Sequence, residues 1–118
     1  MDASKYWQRM DALVRETGIV IDRPRGTAHP RYPNFIYPYD YGYLKNTQAA
    51  DLGGIDVWAG SQPERGVTAV ICTVDSVKHD AEIKILWGCS TDEARAILQI
   101  HNEGSMAGIL LMRPGEEA

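Results

Sequence analysis

Apolar residues recur at helical spacing at the start of the chain. Trp7, Met10, Leu13 and Val14 fall on one side, with Lys5, Arg9, Arg15 and Glu16 elsewhere. This predicts a helix over residues 3–16 that stops at Gly18. Ile19-Val20-Ile21 reads as a short strand ended by Asp22-Arg23-Pro24-Arg25-Gly26. From there to about Asn46 the chain carries Pro24, Pro30, Pro33 and Pro38, and Tyr32, Tyr37, Tyr39, Tyr41 and Tyr43. Proline fixes φ and removes a donor, so this stretch is expected to be extended and loop-like. Its tyrosines exclude a linker.

Three more strand patterns follow, at residues 55–59, 67–74 and 82–87, rich in β-branched side chains or alternating in polarity. Ser90-Thr91-Asp92-Glu93 has the form of a capping box, and the helix it opens is expected to run to about Glu103, with Ala94, Ile97, Leu98 and Ile100 or His101 inward. Gly104 stops it, Ile109-Leu110-Leu111-Met112 is a last strand, and residues 113–118 are a tail. Helix, strands, helix, strand predicts an α+β domain, mainly β, with a small curved sheet or barrel.

Composition narrows the function classes. Among 118 residues, 12 basic against 16 acidic side chains give a net charge of −4. Such a balance suits one soluble domain and disfavours nucleic acid or an anionic membrane as the main partner. No membrane-length apolar run and no export-type leader stand in the sequence, so the expected location is the cytoplasm. Cys72 and Cys89 form no disulfide framework and no Cys-x-x-Cys pair, and His29, His79 and His101 are scattered.

Two features carry candidate chemistry. Asp51 and Asp56 bracket Leu52-Gly53-Gly54-Ile55, and Asp75 and Asp80 bracket Ser76-Val77-Lys78-His79. Two such pairs on neighbouring strand ends would gather carboxylates that repel unless cations hold them, and oxygen-only ligands favour Mg²⁺, Mn²⁺ or Ca²⁺ over zinc. Aspartate is also a common turn residue, which explains such spacing without a metal. The second feature is Tyr37-Pro38-Tyr39-Asp40-Tyr41-Gly42-Tyr43. It reads as core packing with hydroxyls aimed into a pocket, as a peptide groove, or as a platform for a nucleobase. Arg23, Arg25, Arg31 and Lys45 flank it, and arginine forks suit phosphate.

These residues together resemble the soluble, Mg²⁺-dependent inorganic pyrophosphatases of the small-barrel type over about residues 19–112. The likeness rests on the Tyr/Pro/Gly element, then Asn46-Thr47, then Asp51-Leu52-Gly53-Gly54-Ile55-Asp56-Val57, the Asp75/Asp80 pair, and Ile21-Asp22-Arg23-Pro24. The resemblance implies a five-stranded OB-like barrel with flanking helices, usually homo-oligomeric. It implies Mg²⁺, or Mn²⁺, held by Asp51, Asp56, Asp75, Asp80 and Asp22. It implies Arg31 and Tyr41 at the substrate, with Lys84 in place of a lysine that here is Glu82. The implied reaction is hydrolysis of pyrophosphate, or another small phosphorylated substrate, by metal-activated water; the free Gly53-Gly54 loop leaves Asp51 or Asp40 able to serve as base.

The chain departs from that pattern where it matters most. Gly53 stands at the aspartate that helps deprotonate the attacking water, and Gly54 at the proline after it. A hairpin-sized insert between Tyr32 and Tyr37 is absent, and with it a phosphate-binding arginine. His101-Asn102 falls where a Tyr-Lys pair would stand. Losing a general base costs typically a hundred- to ten-thousand-fold in rate. The alternative expectation is therefore an inactive relative that binds metal, phosphate or a protein partner.

Overall fold

The computed structural model describes residues 2–49 and 53–116. Its elements are helix α1 (Ser4–Thr17), strands β1 (Ile19–Arg23), β2 (Asp40–Leu44), β3 (Asp56–Ala59), β4 (Val67–Asp75) and β5 (Asp80–Trp87), helix α2 (Thr91–Ile100) and strand β6 (Met106–Met112). The strands form one sheet in the order β1-β2-β3-β5-β4-β6. Neighbours are antiparallel except β3 and β5, which run parallel. The architecture is α+β and mainly β, as expected. The sheet has six strands, and β1 and β6 are its two edges, with no pairing between them among the described residues.

The additional strand is β2, inside the stretch expected to be loop. Pro38 precedes it, and Tyr41 and Tyr43 alternate with Gly42 and Leu44 as a two-sided strand requires. Gly42 is mandatory there: a Cβ would lie 1.8 Å from the Val20 carbonyl oxygen of β1. Other boundaries move by a few residues. β1 continues through Asp22 to Arg23, and β6 begins at Met106 rather than Ile109. α2 ends at Ile100, before Glu103, because Asn102 takes over the bonding: its Nδ2 donates to the Leu98 and Gly108 carbonyls at 3.0 and 3.2 Å.

The sheet is covered on both sides. On one, Trp7, Met10 and Val14 of α1 pack on Leu44, Val57, Val67, Val70 and Ile85. Full burial of each such side chain contributes about 1.5–3 kcal/mol. Asp11 of α1 fixes the docking, accepting from the Val67 amide at 3.0 Å and the Arg113 guanidinium at 2.7 Å. Arg113, expected in a tail, thus helps to seat the first helix. On the other side, Ala94 and Ile97 of α2 pack with Tyr37, Trp58, Ala69, Ile71, Leu86 and Cys89. The capping box forms as the sequence predicts: Ser90 Oγ accepts from the Glu93 amide and Glu93 Oε1 from the Ser90 amide. Among the described residues no helix is long and apolar enough to cross a membrane.

Candidate functional site

Strand period two divides β5 between the faces. Ile83 and Ile85 turn toward α1, while Glu82, Lys84 and Leu86 turn toward α2. Register then assembles a polar cluster on the α2 side. Asp56 opens β3 directly opposite Lys84 of β5 and beside Tyr43 of β2, and Trp58 lies opposite Tyr41. Lys84 is buried, and its ammonium donates to Asp56 Oδ2 at 2.6 Å and Glu82 Oε2 at 3.0 Å. Burial alone would lower the Lys84 pKa, but Tyr41, Asp56 and Glu82 outweigh it, so the lysine stays charged well into the alkaline range. Burial pushes the Tyr41 hydroxyl above its ordinary pKa, and Asp56 and Lys84 act on the same oxygen.

The cluster opens into a groove of about 1110 Å³. Asp22, Tyr41, Asp56, Asp75 and Lys84, each from a different strand, line it. Five of the eight residues singled out in the sequence therefore meet on one surface. Asp75 has a second occupation: its Oδ1 accepts from the Val77 and Lys78 amides at 3.0 Å and from Ser105 Oγ at 2.8 Å. The Lys78 amide, together with Ser105 and Val77, holds its pKa below the usual value despite its burial. Part of the Asp75–Asp80 spacing is thus explained by the turn that Asp75 closes.

Two of the other three residues stand apart. Asp51 lies outside the described residues. Asp80 pairs with Asp75 across the β4–β5 turn but does not line the groove. Arg31 is exposed on the loop before β2 and does not line the groove either; its amide donates to His29 Nδ1 at 3.0 Å. Arg23 and Lys78 are the lining cations besides Lys84. Asp40, the alternative candidate for the base, accepts from the Arg25 amide at 2.8 Å.

Sequence reasoning missed two participants. Glu82 is the second carboxylate on Lys84, a pairing that the i, i+2 spacing on one strand face would have revealed. His101 caps α2 and is buried, with Nε2 accepting from Trp58 Nε1 at 3.0 Å. That bond places its proton on Nδ1, which faces Met106 Sδ at 3.4 Å. Burial, reinforced by the positive Lys84, pushes the His101 pKa down to about 4, so the ring is neutral at pH 7. His101 cannot serve there as a cationic phosphate donor.

A resident metal is not provided for by the described donors. Lys84 already stands against Asp56 Oδ2, and Asp75 Oδ1 is engaged by three hydrogen-bond donors. Among the described residues no group of three or more His, Cys, Asp or Glu side chains could hold an ion together. Compared with protein-family models, curated proteins and solved structures, the chain matches none.

Proposed function

We propose that this protein hydrolyses the phosphoanhydride bond of pyrophosphate, or of another small phosphorylated substrate, taken up as its Mg²⁺ complex. The observation that carries the reading is the Asp56–Lys84–Tyr41 cluster in a groove whose lining also includes Asp22 and Asp75. The resemblance to inorganic pyrophosphatases supplies the reaction class and the expectation of an OB-like barrel, of which the six-stranded sheet would be an open version.

Charge decides how such a substrate enters. The groove is lined by the acidic Asp22, Asp56, Asp75 and Glu103 and the basic Arg23, Lys78 and Lys84. An acidic excess repels a bare polyanion, so the substrate arrives with its own cations, which also neutralise charge that develops on the leaving phosphate. In this reading Lys84 and Arg23 bind phosphate oxygens, and Tyr41 donates a hydrogen bond from a hydroxyl that stays protonated. Asp56, freed as Lys84 turns to the phosphate, accepts a proton from the attacking water.

A second reading, binding without turnover, is favoured by the Lys84 clamp on Asp56 and by a glycine at position 53. Phosphate release from pyrophosphate with Mg²⁺, measured beside Asp56→Asn, decides between them. Release that drops at least a hundredfold in the variant supports hydrolysis. Mg²⁺-pyrophosphate that raises the melting temperature with no release leaves binding alone. No response to either overturns both.

A further inference from the structure

The groove is far larger than two phosphate groups require, since pockets for whole drug-sized ligands run roughly 300–1,000 Å³. Beyond the charged cluster its wall is aromatic. Tyr41 lies with its ring 5.7 Å from Tyr37, the two planes 25° apart. Tyr37 stacks in turn on His29 at 6.1 Å and 10°, and His29 lies 5.0 Å from Tyr32. The row begins at the hydroxyl nearest Lys84 and Asp56 and ends in a ring that is 65% exposed. Along the row Tyr37 is buried, His29 is half-buried and Tyr32 is exposed.

The outer end is held in place before any ligand comes. His29 Nδ1 accepts from the Arg31 and Tyr32 amides at 3.0 and 3.2 Å, which fixes the ring and puts its proton on Nε2. The loop beneath is zipped by a bridge between Ala28 and Ile36 and by backbone bonds from His29 to Phe35 and from Tyr37 to Thr27. A ring platform fixed in this way loses little conformational freedom on binding, which is how preorganisation strengthens association.

We infer that the aromatic row from Tyr41 to Tyr32 is a subsite for a planar ring, so that the preferred ligand is a nucleoside diphosphate or a like molecule joining a ring to a diphosphate. The inference rests on the proposed phosphate site for its charged end. The ring itself is recognised by stacking on His29 and Tyr32, a sequence-tolerant contact that needs no base-edge readout. Mild net acidity is no obstacle to a single nucleotide, unlike a nucleic-acid backbone with its many charges.

The test is calorimetric titration of the full chain, in Mg²⁺, with ADP, pyrophosphate and adenosine, followed by Tyr32→Ala and Tyr32→Trp. ADP is expected to bind at least fivefold tighter than pyrophosphate. Tyr32→Ala is expected to remove roughly five- to a hundredfold of the ADP affinity, narrowing its preference over pyrophosphate, and Tyr32→Trp to restore it. Because Tyr32 is exposed, the alanine variant keeps the fold, which circular dichroism checks. Equal affinity for ADP and pyrophosphate, or an equal loss for both in Tyr32→Ala, overturns the ring subsite and leaves the proposed hydrolysis standing. Selective ADP binding with no phosphate release does the reverse. No binding of any of the three overturns both.

Discussion

Lys84 and Ile85 are consecutive on β5 and belong to two different kinds of interior. Ile85 meets α1 in a cluster made of aliphatic side chains, Trp7 and Met10, and is fully buried. Lys84 meets the opposite face, where Asp56, Glu82, Tyr41, Trp58 and His101 stand beside aliphatics such as Ile71, Leu86 and Ile97. One side of the sheet stabilises the fold mainly by apolar area, beside the Asp11–Arg113 ion pair. The other buries charge, which costs several kcal/mol per ion unless partners compensate. An interior that departs from apolar packing in this way is where a function is to be sought, because buried polar groups that do nothing for stability are otherwise replaced by hydrophobic ones.

Substitution at these two neighbours tests the contrast directly. Lys84→Met leaves Asp56 and Glu82 facing one another without their cation and is expected to destabilise by about 3–5 kcal/mol. Adding Asp56→Asn and Glu82→Gln should recover more than half of that loss. Ile85→Ala is expected to cost about 2–5 kcal/mol through the cavity it leaves, and no polar substitution nearby should recover it. Urea midpoints give both numbers. If Lys84→Met loses less than about 1 kcal/mol, the cluster is a solvated surface group and the distinction between the faces collapses.

The pH dependence of stability sharpens the same contrast. The folded pKa of His101 is depressed to about 4, so its contribution is fully present above the unfolded value near 6.5 and is lost as pH falls toward 4. At the other end, Tyr41 and Lys84 both have raised pKa values. Their contributions are present below about pH 10 and are lost as pH rises beyond it, since the unfolded chain deprotonates first. Melting temperature should therefore fall on both sides of a neutral plateau. His101→Gln should flatten the limb between pH 6.5 and 4, and Lys84→Met should remove the lysine's share of the alkaline limb while Tyr41 keeps its own, whereas Ile85→Ala shifts the whole curve without changing its shape. A limb between pH 6.5 and 4 that persists in His101→Gln would show that other groups set it.

The apolar face was the more legible one in the sequence. Trp7, Met10 and Val14 announce α1 by spacing alone, and β4 announces itself by β-branched residues, because hydrophobic periodicity is written into neighbouring positions. The capping box was readable for the same reason: Ser90 and Glu93 are three apart. β2 was not, since the prolines around it mask a short strand whose partners lie elsewhere in the chain. The polar face depends on register. That Lys84 takes both Asp56 and Glu82, that His101 comes under Trp58, and that Arg23 rather than Arg31 reaches the groove all follow from strand order. No local pattern encodes the parallel β3–β5 pairing that brings Asp56 and Lys84 together. Chemical type was legible there, as in the aspartates, while the partner of each group was not.

The smallest expected effect separates the helices rather than the strands. α1 has no side-chain cap at Ala3 and is held through its apolar face and Asp11. α2 is held at its first turn by Glu93, whose Oε1 accepts from the Ser90 amide at 2.8 Å, the Ser61 hydroxyl at 3.1 Å and the Ser61 amide at 3.3 Å. Burial works against the Glu93 carboxylate, but these donors outweigh it and hold its pKa below the usual value. Glu93→Ala should therefore cost about 1 kcal/mol, within the range of lost N-terminal caps. Amide exchange should accelerate in the first turn of α2 and in the strand connection around Ser61, and not in α1. Since α2 roofs the groove through Gln99, Ile100 and His101, the same variant should weaken ligand binding slightly while leaving the α1 side untouched. Exchange that quickens equally in both helices would mean that the two faces unfold as one unit and that the contrast between them is energetic only.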